Sequence, residues 1–496
     1  MLWVALHLPQ LSLQALPWSR AGLETLLPVA VVEQHRLLGA NRAARALGVH
    51  VGQSVATALA LLLQLVVQPR DEARERAFVA TLALALAALT PKLNLQASGV
   101  LLEVRASLRL FGGVRCLLRR AQAIAHDCGA HVRLACAPTA SAAWLLATSG
   151  SVRRRTLQSS HCARQLDRIP LGALDALLPL TPRQTELLQA LGVQRLGELR
   201  ALPRAGLQRR LGRALATTLD RAYGDASDPR PWFAPPERFE ARRELLQRAD
   251  DAAVLVAAIG ALLPALGGWL QLHWHAATVL SLRLRHEHRR EPVPDTVLRL
   301  QLSTPSRDIA QLALLWRERL QRHALAAPVY ELILALEASV AHGGTPGELL
   351  PTAGGEGQGH AALLDRLVAR LGPERVLRFE PLADHRPERA QRGVPVTETL
   401  RVPAEPPPGA PPRPAWLLEP PQPLASDALG RPLHGGLLRL CSRAERIEAG
   451  WFDGGLARRD YHVAEGSDHR LRWVYRERRA DAPGNQGGWF LHGWFG

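Results

Sequence analysis

Apolar residues cluster along residues 2–8 and again from Pro28 in "PVAVVEQ", and each run is short and bounded as a buried strand would be. "RAARALGVHVGQSVATALAL" reads as helical, with a break from Gly48 to Gly52. Residues 71–90 open on "DEARERA" and continue as an Ala/Leu helix, with acidic residues where the helix dipole favours them. A strand at 99–104, a helix over about 114–128, the strand "HVRLACAP" and the small-residue helix "TASAAWLLATSG" follow. This alternation predicts an α/β or α+β module over the first 150 residues.

From Ile169 to about Tyr223 the pattern changes to short helices punctuated by Gly and Pro. A helical hairpin turning at Leu191-Gly192-Val193 can aim backbone N–H groups at a phosphate, although many such hairpins bind none. "RPWFAPPE" at 230–237 reads as a linker. Helix 250–268, strands near 270–285 and 296–302, helix 307–324 and strand 328–337 then predict a small sheet backed by two helices. The run Ala252–Leu270 has membrane-spanning length, but Gly260, Pro264, Gly267 and Gly268 interrupt it and an alternating strand follows, so it reads as a buried helix feeding a sheet. Residues 341–360 look like a loop, and 403–423 like an extended proline-rich spacer. The last 70 residues hold Trp451, Trp473, Trp489 and Trp494, which suits either a small β-rich unit or a surface docked on a partner.

Composition adds a partner class. A chain of 496 residues exceeds one hydrophobic core, so several modules are expected. The net charge of +16 and pI near 11 favour a polyanion, most often nucleic acid. Lys92 is the only lysine, and the abundance of Ala, Leu, Arg and Pro also fits codon bias. Cys116, Cys128, Cys136, Cys162 and Cys441 form no CxxC pair and fit reduced thiols. With no signal-like opening, a cytoplasmic, nucleoid-associated protein without a membrane partner is expected.

These stretches together resemble the Y-family translesion DNA polymerases. "PVAVVEQHRLLGANRAARALGVHVGQSVATALAL" is similar to the segment running from a palm strand through the fingers, with its core at Ala44, Arg45, Gly48, Val49 and Gly52. "GVLLEVRASLRLFGG" resembles a palm strand and turn, "RLACAPTASAAWLLA" the next strand and helix, and Leu191 to Leu199 the thumb hairpin. "ERIEAGWFDGGLARRDYHV", "LRWVYRE" and "GWFLHGWFG" resemble the C-terminal region of the polymerase-like proteins of bacterial mutagenesis cassettes. The resemblance implies an α+β multidomain fold. It comprises a palm over 1–165 with fingers inserted at about 16–70, a helical thumb over 166–230 and a little-finger-like domain over 231–340. A loop and Pro-rich linker over 341–424 and a C-terminal interaction module over 425–496 complete it.

Nucleotidyl transfer in this family needs carboxylates that hold two metal ions. By the resemblance those positions fall on Ala5 and His7 in the first strand and on Ser98 and Gly99 in the later one, and none is a carboxylate. Residues 1–150 contain only Asp71 and Asp127 as Asp, and the sole adjacent acidic pair, Asp71-Glu72, opens a charged helix. Glu103 lies on the right strand, but one carboxylate cannot organise two hard cations. By the resemblance the fingers Tyr-x-x-Arg element falls on Arg42 and Arg45, so the basic partner remains and the aromatic one does not; Arg45 is a candidate for nucleotide phosphate, an ordinary surface ion pair being the alternative.

The expectation is therefore a protein that is not an enzyme, without cofactor or metal. It would be a DNA-binding scaffold for translesion synthesis and damage-induced mutagenesis, the alternative being an active Y-family polymerase with atypical metal ligands. Arg209, Arg210 and Arg213 in the thumb, and Arg283, Arg285, Arg289 and Arg290 in the little finger, are candidate phosphate contacts for sequence-independent binding of primer-template or damaged DNA. The resemblance further implies an error-prone C-family DNA polymerase and a RecA-like accessory protein as partners, with the sliding clamp as a further candidate. "GELLPT" places the clamp candidates at Leu349 and Leu350, while "QLALLW" at Gln311 to Trp316 matches a clamp peptide better but has the spacing of a buried helix. Trp489, Phe490, Trp494 and Phe495 are the partner-binding candidates of the tail.

Overall fold

In the computed structural model the strand Trp3–His7 lies at the centre of a four-stranded antiparallel sheet, in the order Leu93–Gln96, Gly99–Glu103, Trp3–His7, Arg133–Ala137. Its residues alternate between two buried faces, which explains the nearly continuous apolar run. Leu2, Val4, Leu6 and Leu8 join Val100 and Leu102 on one face, where the helices Glu72–Leu86 and Val114–Asp127 supply Leu82, Leu86, Leu117 and Ala121. Trp3, Ala5, Leu101, Ala135 and Ala137 form the other face, covered by the helix Ala140–Thr148, whose alanines allow it to lie close to the sheet. The structure describes residues 1–17, 27–150, 155–287, 293–342, 354–398, 412–478 and 487–495.

The expected fingers form a small lobe with the strands Val29–Glu33, Arg36–Ala40 and Val66–Pro69, the helices Arg42–Ala46 and Val55–Leu61, and a core of Ala30, Leu37, Ala44, Val49, Ala58 and Leu65. Asn41 and Ser54 cap the two helices, accepting from Ala44 N–H and Thr57 N–H. Arg70 ties this lobe to the sheet layer by binding Glu33 at 3.0 Å and the buried Glu75 at 2.8 Å.

Short helices from Ser159–Leu166 to Arg213–Tyr223 pack Leu166, Leu188, Leu196, Leu199, Leu215 and Leu219 against the helix Ala140–Thr148. The linker at 230–237 does not hang free. Asn94 Nδ2 donates to Pro231 O at 2.7 Å, Phe233 N–H to Leu93 O at 2.7 Å, and Trp232 stacks on Trp3 at 5.8 Å.

Beyond it, a second four-stranded antiparallel sheet runs in the order Thr296–Ser306, His275–His286, Val329–Ala341, Glu240–Ala249. One stretch among the described residues, Ala252–Leu272, is long and apolar enough to cross a membrane. It forms two helices, Ala252–Gly260 and Leu263–Leu272, whose Leu255, Ile259, Leu263, Leu266 and Leu270 are buried in a core continuous with the helix Glu72–Leu86.

The chain divides into two compact units, Met1–Arg370 and Leu371–Gly496. This corrects the expected loop and linker over 341–424. A helix occupies Gly354–Leu371, with Ala361, Asp365, Val368 and Ala369 buried on one face at helical spacing behind a glycine-rich start. A hairpin pairs Leu377–Pro381 with Gln391–Pro395, and Trp416–Ser426 is a strand, so a boundary at 425 would cut through it. Pro420 and Pro421 are tolerated because they fall where the ladder to Trp489–Trp494 slips, between Leu417 and Gln422, and no ladder N–H is required there. That ladder belongs to a seven-stranded sheet, also built from Pro432–Leu433, Arg439–Leu440, Glu445–Ala449, Ala457–Glu465 and Leu471–Glu477.

Candidate catalytic face and nucleic-acid interface

Ladder register brings His7 opposite both Gly99 and Arg133, and Ala5 opposite Leu101 and Ala135. The first-strand and later-strand positions of the resemblance therefore meet on one sheet face. Ser98 sits in the two-residue turn before Gly99, and its carbonyl accepts Leu8 N–H at 2.8 Å. Gly99 has φ +156°, and a Cβ there would stand 2.0 Å from Leu6 O. Any side chain at this position collides with the neighbouring backbone. His7 meets Trp144 edge-on at 5.6 Å, and Trp144 is fixed by donating its indole N–H to Ala176 O. Burial, assisted by the charge of Arg133, lowers the His7 pKa to about 4, so the ring is neutral at pH 7.

Glu103 does not compensate. It pairs with Trp3 at the far end of the strand, four residues or roughly 13 Å from His7. Its carboxylate accepts Leu2 N–H and Arg105 N–H, both at 3.3 Å. Two divalent cations need several oxygen ligands close together. This face offers a neutral imidazole, a guanidinium and a position closed to side chains, which does not fit them. Among the described residues no group of three or more His, Cys, Asp or Glu could hold a metal.

The basic candidates separate into exposed and engaged groups. Arg45 is exposed on the helix Arg42–Ala46 and forms no ion pair among the described residues. Arg209 and Arg210 end the helix Arg204–Leu211 and Arg213 opens the next, so the three crowd one exposed corner around Gly212. The helix beginning at Arg213 has no side-chain cap, leaving its first amides facing that corner. The hairpin at 191–195 differs. Gln194 N–H and Arg195 N–H donate to Glu198 at 2.7 and 3.1 Å, bonds that lower the Glu198 pKa, and Gly192 N–H donates to Gln189 O. Its amides are already taken, so the phosphate-aiming role the sequence allowed does not arise there.

On the second sheet Arg283 is exposed, whereas Arg285 binds Glu331 at 2.9 Å and lies over Tyr330. Arg289 and Arg290 lie outside the described residues. The same sheet carries Arg299–Glu337 at 3.1 Å, a pair that only the strand register reveals, and the local pair Arg242–Glu240 at 2.7 Å, two residues apart on one strand. The unit Met1–Arg370 holds 43 Lys and Arg against 29 Asp and Glu, and the unit Leu371–Gly496 holds 18 against 16, so nearly all the positive excess lies in the first.

"QLALLW" lies within the helix Ile309–Arg322 with Leu312, Leu315 and Trp316 buried, as its spacing predicts. Leu349 and Leu350 lie outside the described residues. The tail requires a correction. Trp489 is buried, Phe490, Trp494 and Phe495 are partly buried, and their strand is central in the sheet, between Trp416–Ser426 and Leu471–Glu477. These aromatics build the module's own core. The "RDY" and "LHGW" strings meet inside it: Tyr461 Oη and His492 Nδ1 are 2.7 Å apart, Tyr461 stacks on Trp473, and Arg459 binds Tyr461 Oη and Glu388.

Residues 18–148 match the sequence model of the IMS family, described as impB/mucB/samB. "Protein ImuB" of Caulobacter vibrioides, in strains NA1000 / CB15N and ATCC 19089 / CIP 103742 / CB 15, is 30% identical over 505 residues, covering 91% of this chain and 100% of the relative. Among solved structures, a Dbh ternary complex matches at 16% identity and TM-score 0.38, covering 68% of this chain and 99% of that one. DinB from Sulfolobus solfataricus matches at 16% identity and TM-score 0.35, covering 69% and 100%.

Proposed function

Because the chain belongs to the ImuB family, whose polymerase-like α+β fold it carries, we propose that it is a non-catalytic DNA-binding scaffold for translesion synthesis and damage-induced mutagenesis. One observation carries this reading. At the place where two cations would be held, the backbone at Gly99 excludes a side chain and His7 is a neutral ring beside Arg133. Nothing there can lower the pKa of a primer hydroxyl or bridge it to a triphosphate.

DNA binding needs none of that chemistry, because it rests on Arg contacts and backbone amides at phosphates. Arg209, Arg210 and Arg213 with the uncapped helix start, and Arg283 on the second sheet, are the exposed contacts that support it. Arg285, engaged with Glu331, is a weaker candidate, and Arg45 is kept for a nucleotide phosphate. The palm, fingers, thumb and little finger follow the boundaries of the resemblance, with the C-terminal module taken from Leu371. The near-neutral charge of that module favours proteins over DNA as its ligands, and the C-family polymerase and RecA-like accessory protein are the proposed partners. The sliding clamp, through Leu349 and Leu350, and a cytoplasmic, nucleoid-associated location belong to the same proposal.

Primer extension by the purified full chain with Mg²⁺ or Mn²⁺ tests the reading. No incorporation is expected while primer-template DNA is bound, and robust nucleotide incorporation overturns it.

A further inference from the structure

Resting on the DNA-binding reading, we propose that Trp274 is a stacking platform for an unpaired base of single-stranded DNA. It occupies the corner between the helix Leu263–Leu272 and the strand His275–His286, one residue beyond the helix C-cap, His273. Its φ is +55°, a left-handed conformation that glycine or asparagine normally supplies at this place. Of the four non-glycine residues with positive φ among the described residues, the others are the polar Gln34, His35 and His469. A bulky ring in this region of φ is strained, and such strain gathers at ligand sites.

The fold does not use the ring. Trp274 is 68% exposed, and its ring takes no aromatic or cationic contact among the described residues. Its neighbours turn inward: His273 stacks on the buried Trp269 at 4.0 Å, and His275 meets that same ring edge-on at 6.2 Å. The backbone beneath the ring is fixed on both sides. Trp274 N–H donates to Gln271 O at 3.3 Å, and Trp274 O accepts His342 N–H at 2.8 Å. Arg307 clamps the flanking residues, donating from Nε to His275 O at 2.5 Å and from Nη2 to His342 O at 3.5 Å. The ring stands on an ordered post, so a base that stacks on it does not have to order the protein first.

Charge selects the occupant. Arg307 has no carboxylate partner among the described residues. The adjacent Asp308 spends its carboxylate capping the helix Ile309–Arg322, where it accepts Ala310 N–H at 2.8 Å and Gln311 N–H at 3.3 Å. An apolar protein cleft asks for apolar residues around the ring, whereas those bonded about it are His275, Arg307 and His342. A nucleobase asks for a free ring face with cations near enough to hold the adjoining phosphates, which this corner offers. The exposed Arg283 lies on the same strand, roughly 30 Å away. The unit that carries both holds nearly all of the chain's positive excess.

The test titrates the full chain and its Trp274→Gly and Trp274→Phe variants, by fluorescence anisotropy, with two labelled single strands of about 12 nucleotides. One is oligothymidylate; the other is an abasic deoxyribose-phosphate strand, which keeps the phosphates and lacks the bases. The unaltered chain is expected to bind thymidylate more tightly than the abasic strand. Trp274→Gly should weaken thymidylate binding roughly tenfold. It should leave abasic binding and the slope of log K against log salt unchanged, because no phosphate contact is lost. Its unfolding midpoint should hold, since glycine adopts this φ without strain. Trp274→Phe, which keeps a ring face, should retain most of the affinity. Unchanged thymidylate binding in Trp274→Gly overturns the proposal, as does an equal loss on both strands. Binding of duplex primer-template but of neither single strand overturns the platform alone, and binding of no DNA at all overturns the DNA-binding reading with it.

Discussion

Replacing Gly99 with alanine probes the geometry on which the non-catalytic reading rests. The added methyl would stand 2.0 Å from Leu6 O, 3.0 Å from Leu6 C and 3.1 Å from His7 Cα. Carbon and oxygen settle at about 3.3–3.6 Å, so the strands Gly99–Glu103 and Trp3–His7 must separate there by roughly 1.5 Å. Strands stand only about 4.8 Å apart, and such a separation breaks the adjacent Leu8 N–H to Ser98 O bond of 2.8 Å. Overpacking costs about 1–3 kcal/mol, an unfavourable φ about 1 kcal/mol and a lost hydrogen bond about 1 kcal/mol, for a total of about 3–5 kcal/mol. Against a typical stability of about 5–15 kcal/mol this is large. Urea and thermal unfolding of the full chain should report it, with the transition of the first unit lowered by about 4–6 °C. A loss below about 1 kcal/mol would mean that the backbone has slack, and that the sheet does not itself forbid a carboxylate at 99. If the geometry holds, Ser98→Asp with Gly99→Glu unfolds the sheet rather than creating a polymerase.

Two further outcomes follow from other parts of the molecule. Arg209→Ser/Arg210→Ser/Arg213→Ser should weaken binding to duplex primer-template DNA and reduce the slope of log K against log salt by about 2–3; an unchanged slope in electrophoretic titrations removes the thumb corner from the interface. His492, fully buried, has its pKa lowered to about 4, mainly by desolvation, so it is neutral in the fold and takes up a proton on unfolding below about pH 6.5. Its contribution is complete above that pH and is lost as the pH falls towards 4, at up to about 1.4 kcal/mol per pH unit, so the difference in urea midpoint between pH 7 and pH 5 should shrink in His492→Gln. An equal difference in both proteins refutes this.

The elements around the first sheet were legible because burial on both faces writes itself into sequence as short apolar runs, and because Asp71, Thr139 and Ser54 cap their helices locally. That Ala5, His7, Ser98 and Gly99 are not carboxylates is a matter of residue type alone, while their assignment to metal-ligand positions rests on the resemblance. What the sequence could not express was register. That Gly99 faces Leu6 O, that His7 lies beside Arg133, and that Arg285 is engaged by Glu331 depend on pairing between residues 46 to 126 positions apart. The Glu198 cap is the exception: its three-residue spacing from Arg195 is a local signal that would have shown the hairpin amides to be occupied.

Residue type alone does not place the tail aromatics in core or surface, for a related reason. Aromatics near a chain end suggest exposure only if the last strand lies at a sheet edge, and here it inserts between two others, so Trp489, Leu491 and His492 are enclosed on both sides. Trp451 and Phe452 satisfy the opposite condition, because their loop has no strand beyond it and the Arg386–Asp453 pair holds the backbone without covering the rings. In a small β unit, then, aromatic composition alone does not separate core from surface; the position of each strand in the sheet does, and it divides this tail into a buried signature and an exposed one.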